Sequence, residues 1–478
     1  MPEHPPARWT LPDRPDAGRL RKQAKKLRWD AAAGEPAALD LLATYDPGDL
    51  PLTLSRAQRV IARAYGHAGW SKLLAHLDDR LAWTRDMNPV DESDGDVARF
   101  LRLACLSYTE PNAADNALRQ LAADPALAVR TAATMAACGR TDELAALLAA
   151  DPGAAVREDG PHRWPPVLYL CYSRLGLGDP IGTMRLLLDA GADPNSGFLW
   201  RGLPSPFTAL TGVLGGGEQA EPPHPKAIEL AELLLDAGAD PNDNQAFYNR
   251  QFRPDDGHLA PLLRHGAGHD HPSPWRDRLG TAYPSPQQMV GEHLRTAARY
   301  GYYERIRSLI ANGVHPNIRG YHPNLGDQTA YEIAVRHGHT AAAALLAQAG
   351  GRSDRLDDAD LLLTAALSGD GPEVARLRGR IPDLPSLRPG AMRIAGELHD
   401  VAALDRLLDL GYPVDETGPG GATALHEAAL RGNRAMCDWL RRHGADPTLR
   451  DRRFDATPAE WAAHAGHLEL AGVLAPAE

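Results

Sequence analysis

One pattern is written twice in succession, as TALHEAALRGNRAMCDWLRRHGADPT at residues 423–448 and TPAEWAAHAGHLELAGVL at residues 457–474. The opening threonines, Thr423 and Thr457, lie 34 residues apart, and a glycine follows nine positions after each, at Gly432 and Gly466. A unit this short has no closed core, so it buries its apolar stripe only by stacking on a neighbouring copy. The residue types fit two short helices joined by a turn. Thr423 and Thr457 are placed to cap the first helix, and Pro458 sits at the first helical position, where no donor is lost. Ala428, Ala429, Ala462 and Ala463 are small where first helices of adjacent copies meet. Trp439, Leu440, Val473 and Leu474 supply the stripe of the second helix, and Gly444 supplies the left-handed residue that ends it.

A turn and two short helices repeating at about 33 residues resembles the ankyrin repeat. The resemblance implies an all-α solenoid, with His426 as a structural histidine tying the turn to the helix. The same register recurs at Thr329 with Gly338, and at Leu294 with Gly301 and Gly313. Looser copies begin near Asp360 and Gly390, and one upstream copy begins at Thr131. LLLDAGADPN occurs at residues 186–195 and 233–242, where Gly191 and Gly238 are 47 residues apart, so this region carries insertions. The expected array is roughly nine to eleven helix pairs, irregular over residues 97–290 and regular over 291–478.

Residues 1–86 read as a separate helical module. LRKQAKKLRW at 20–29 is a basic helix with Leu20 and Leu27 on its apolar side. The string at 52–81 resembles a helical module found ahead of ankyrin repeats in bacterial proteins, through Ala57, Gln58, Val60, Ile61, Ala62, Arg63, Tyr65, Gly66, Trp70 and Leu73. A cap over the first repeat is the favoured role. Arg19, Arg21, Lys22, Lys25, Lys26 and Arg28 also form a candidate docking face for acidic partners or nucleic acid. Residues 87–96 read as the boundary.

Hydrophobic residues make up 43% of the 478 and aromatics only 6%, which suits a large core of stacked Ala/Leu-rich helices. A net charge of −11 argues against nucleic acid or an anionic membrane as the main partner. There is no apolar run of membrane-spanning length, and residues 1–16 hold no signal-like segment. With four scattered cysteines and lysine scarce beside arginine, a bacterial, cytoplasmic monomer is expected.

Function is expected in the insertions, because long loops on a rigid scaffold carry binding residues. The loops at 196–207, 244–258, 268–288 and 317–328 bring Arg and aromatic side chains, the types that dominate binding hot spots. The candidate binding residues are Trp200, Arg201, Phe247, Tyr248, Arg250, Arg319, Tyr321 and His322, with Tyr300 and Tyr302 extending the surface from an inter-helix turn. They point to a protein or peptide partner bound along the finger loops and concave face. The rival reading is an enzyme or small-molecule binder built on the loops over 195–328.

Catalytic and metal readings are weaker. His258, His265, His269 and His271 with Asp270 lack regular ligand spacing, and His265 precedes Gly266 as His443 precedes Gly444. Cys105, Cys138 and Cys171 are spaced 33 apart, which is the repeat period. Neither a nucleophile elbow nor a phosphate loop is present; Gly215, Gly216 and Gly217 lack a following Lys-Ser/Thr. No cofactor, metal or catalytic residue is therefore assigned.

Overall fold

The computed structural model describes residues 8–9, 11–12, 16–48, 51–87, 94–106, 113–217, 221–320, 325–418 and 420–475. Mostly helical, these form two compact units, Met1–Met289 and Val290–Glu478.

The first unit opens with four helices, Ala17–Ala32, Pro36–Tyr45, Leu54–Ala64 and Trp70–Trp83. Asp16 and Thr53 cap the first and third by accepting the backbone N–H groups of Arg19 and Arg56. Leu20, Leu27, Leu41, Tyr45, Val60, Ile61 and Leu73 pack into one cluster, which accounts for the helical spacing of these apolar residues. Arg19, Arg21, Lys22, Lys25, Lys26 and Arg28 are exposed on the first helix, with Lys26 paired to Asp30 at 2.7 Å.

Five helix pairs follow in this unit: Asp96–Ala104 with Ala113–Ala123, Ala132–Ala137 with Thr141–Ala150, Pro166–Tyr172 with Pro180–Asp189, Ala209–Leu214 with Ala227–Asp236, and Asn244–Arg250 with Leu259–Arg264. From the second pair onward, first helices pack on first helices and second on second.

The structure departs from the expected all-α stack with finger loops. The fold is not wholly helical, because Thr84–Arg85 pairs in parallel with Gly197–Trp200, which pairs antiparallel with Pro206–Thr208. The segment read as a finger loop at 196–207 is therefore a hairpin whose Phe198 and Phe207 are buried. Its Phe, Leu and Trp alternate poorly with polar residues, and burial on both faces explains why. The segment read as a loop at 244–258 opens with the helix Asn244–Arg250, because Asp243 caps it through the Ala246 N–H at 2.9 Å. Phe247 is 3% exposed on that helix and is a core residue, not a binding residue.

The second unit, which begins within the helix Pro286–Tyr300, holds the pairs formed by that helix with Tyr303–Ala311, Ala330–Arg336 with Thr340–Gln348, Asp358–Ser368 with Gly371–Arg378, Ala391–Leu398 with Val401–Asp409, Ala424–Leu430 with Arg434–Arg442, and Pro458–His464 with Leu468–Leu474. Leu362, Leu363, Met392, Leu404, Leu425, Met436, Leu440 and Leu470 belong to one continuous core. Reciprocal caps start four of its first helices, at Thr329 with Glu332, Asp357 with Asp360, Thr423 with His426 and Thr457 with Glu460. His426 uses both ring nitrogens, Nδ1 accepting from Thr423 and Nε2–H donating to the Ala456 carbonyl at 3.1 Å, so it joins adjacent repeats. Gly432 has φ +65°, and a Cβ there would lie 2.7 Å from the His467 ring, so both backbone and space require glycine.

Candidate functional site

On the first helices of the second unit, opposite charges lie one repeat apart. Arg393 and Glu427 are separated by 34 residues and meet at 2.7 Å; Glu397 and Arg431 are also 34 apart and meet at 3.0 Å. Arg393 also reaches Glu397 one helical turn on, at 3.2 Å, and Arg299 reaches Glu397 at 2.6 Å. Glu397 is the hub, with only 4% of its side chain exposed and three guanidinium groups around it. Burial pushes its carboxyl up, but Arg299, Arg393 and Arg431 outweigh that and hold it below the ordinary glutamate range. Glu427, buried beside Glu397, is pushed the other way.

Aromatic groups border these charges. Tyr300 and Tyr302 stack with ring centroids 5.4 Å apart. Arg299 donates to the Tyr300 hydroxyl at 2.7 Å and lies 4.7 Å over its ring; Arg431 lies 5.9 Å over the same ring, and Arg305 lies 5.0 Å over Tyr302. Burial raises both tyrosines' pKa values, so they present neutral hydroxyls. His339 stacks on His399 at 5.3 Å, and each donates its Nε2–H to a backbone carbonyl, of Arg299 and of His337 respectively. Tyr303 and Arg431 reach furthest toward solvent, Tyr303 at 42% exposure and the Arg431 side chain at 40%.

The remaining sequence-predicted residues are dispersed. Trp200 ends its strand with its ring edge-on to Phe207 at 5.2 Å, and Arg201, at φ +50°, is held by Asp86 at 2.9 Å. Tyr248 meets Phe252 edge-on at 5.3 Å, while Arg250 pairs with Asp255 and donates to the Leu214 carbonyl at 3.3 Å. Arg319 donates to the Asp327 carbonyl at 2.7 Å, close to the Glu332 that caps its repeat. Tyr321 and His322 lie outside the described residues. Of the predicted set, Tyr300 and Tyr302 are brought together, as are the chain neighbours Trp200 and Arg201, and Tyr248 and Arg250 share a helix. Trp200, Arg201, Tyr248 and Arg250 belong to the first unit and Arg319 to the second.

Residues 392–441 match the family described as ankyrin repeats in many copies. No curated protein matches the chain. The ankyrin match holds Arg393, Glu397, Glu427 and Arg431 together, and ankyrin repeats generally mediate protein binding.

The other sequence candidates are accounted for by local structure. His265 uses Nδ1 at the Pro261 carbonyl, 2.9 Å away, as His443 does at Trp439, 2.8 Å away, and its Nε2 meets Asp236. His271 is at the Gly266 carbonyl, 3.2 Å away. Among the described residues no group of three or more His, Cys, Asp or Glu is placed to hold a metal. All four cysteines are buried and free; burial pushes the thiols of Cys138 and Cys437 up to about 12 and those of Cys105 and Cys171 higher, away from the thiolate that nucleophilic chemistry needs. No helix among the described residues is long and apolar enough to cross a membrane.

Sequence reasoning missed Arg299, Arg393, Glu397 and Arg431. The signal was present: in a 34-residue repeat, complementary charges 34 apart on first helices stand side by side.

Proposed function

We propose that the chain is a bacterial, cytoplasmic ankyrin-repeat protein that binds a protein or peptide partner through the face bearing Tyr300, Tyr302, Tyr303 and Arg431. One observation carries this reading. Two stacked tyrosines and a half-exposed arginine are locked over buried ion pairs. Such side chains lose little freedom on binding, and tyrosine and arginine are the residue types that dominate interface energies. The helix pairs of both units are read as one ankyrin array of roughly nine to eleven repeats, irregular over 97–290 and regular over 291–478. The module at 1–86 is read as its cap, with Trp200, Arg201, Tyr248, Arg250, Arg319, Tyr321 and His322 as accessory contacts.

The test is affinity capture with the whole chain beside a Tyr300→Ala/Tyr302→Ala/Arg431→Ala variant, with mass spectrometry of retained proteins and metabolites. A stoichiometric protein that the wild type retains and the variant loses by about tenfold or more is the expected outcome. A partner retained equally by both overturns the placement. A retained metabolite without any protein transfers the function to the loops over 195–328.

A further inference from the structure

A cleft of about 190 Å³ opens in the first unit beside the hairpin, where Trp83, Arg85, Glu158, Arg163, Trp164 and Arg278 line it together with Val156, Pro165 and Leu168. Its polar groups divide into two kinds. Arg85 is committed to structure: its side chain is 6% exposed, it meets both oxygens of Glu158 at 3.0 and 3.1 Å, and it donates to the carbonyls of Ala82 and Thr84. Glu158 is thereby neutralised. Asp193, the other carboxylate of the lining, accepts the Asn195 N–H at 2.8 Å.

The second kind consists of donors with no acceptor. Arg278 lies 4.2 Å over the ring of Trp83 and 4.9 Å from that of Trp275, and no carboxylate meets it among the described residues. Arg163 is exposed at the last position of the turn closed by Asp159 and Trp164, and its guanidinium likewise has no ion pair among the described residues. Trp164 is 1% exposed, yet its indole N–H has no hydrogen-bond partner. Two guanidinium groups without an ion pair among the described residues thus line one cleft walled by indole and aliphatic groups, in a chain of net charge −11. Two cations without an ion pair, against the single carboxylate Asp193 that is likewise without one among the described residues, favour an anion. The aromatic walls select a flat apolar body attached to it.

We propose that this cleft binds a carboxylate joined to a flat apolar group, either a free aromatic acid or the aromatic C-terminal residue of a peptide. Arg163 and Arg278 hold the carboxylate, and Trp83 and Trp164 contact the ring. This stands on the first unit alone and is independent of the surface proposed for partner binding.

The experiment is a titration of the full chain by calorimetry and intrinsic tryptophan fluorescence. The probes are phenylacetate, phenylacetamide, inorganic phosphate, and a short peptide ending in phenylalanine with a free or amidated carboxyl. Binding of phenylacetate or of the free-acid peptide is expected, with the matching neutral amide weaker by about tenfold or more. Arg163→Gln and Arg278→Gln are each expected to weaken the acid by about tenfold while leaving the amide unchanged. Arg163 is exposed, so its variant keeps the test intact if Arg278→Gln fails to fold. Preference for phenylacetate assigns a free acid, and preference for the peptide assigns a chain terminus. Equal binding of acid and amide, acid binding unaffected by Arg163→Gln, phosphate binding as tightly as phenylacetate, or no binding of any probe overturns the proposal.

Discussion

Glu397 shows how a single side chain sets the character of a surface. Its carboxylate is buried, a costly position for an isolated charge, and it survives there because Arg299, Arg393 and Arg431 converge on it. Arg299 and Arg431 in turn lie over the ring of Tyr300, on which Tyr302 stacks, so the polar core and the presented face are one arrangement. Replacing Glu397 by Gln leaves three cations around a neutral group. The expected result is a loss of about 3 kcal/mol of stability, measured by urea unfolding of the whole chain. A midpoint unchanged from the wild type would show that the cluster is solvated and contributes little. The 34-residue offset of these charges is legible in the sequence, whereas the approach of Arg299 to Glu397, 98 residues away, is not.

Among the elements, the regular helices follow from their caps. Thr457 with Glu460 and Thr329 with Glu332 satisfy the first donors of their helices, and these signals stand in the sequence at fixed offsets. The hairpin at 197–208 and the helix Asn244–Arg250 were not legible, for a different reason. Both are set by contacts that cross the chain: Thr84–Arg85 supplies a strand to Gly197–Trp200, and Asp243 receives hydroxyls from Thr208 and Thr211 of an earlier pair. Asp243 is fully enclosed, and burial raises its pKa against the hydrogen bonds that favour its ionised form. Asp243→Ala removes the helix cap and strands two buried hydroxyls. It is expected to cost about 3 kcal/mol, and hydrogen exchange should report the loss over residues 206–250. Uniform protection across that segment in the variant would contradict the linkage.

For the whole molecule, acid sensitivity is distributed across both units. Burial lowers His162 and His224 to about 3 in the first unit, and His337 to about 3 and His339 to about 4 in the second. Each stays neutral in the folded chain and takes up a proton on unfolding below its ordinary value of 6.5. The unfolded state therefore binds more protons between 6.5 and about 3 to 4, so stability is highest above 6.5 and falls as pH drops through that window. Urea midpoints measured from neutrality down to pH about 4 should decline, before most carboxylates protonate. Midpoints that hold constant over that range would refute this assignment.

The sequence alone determined the helix pairs wherever period, caps and inter-helix glycines agree, because those signals act within one repeat or between neighbours. Only the tertiary structure decided that Phe247 is core, that the 196–207 segment is a hairpin, and that Trp83, Arg163 and Arg278 share one cleft. The physical reason is distance along the chain. A repeat register predicts which residues meet one period apart, while a cleft assembled from segments 80 to 195 residues apart depends on packing that no local pattern encodes.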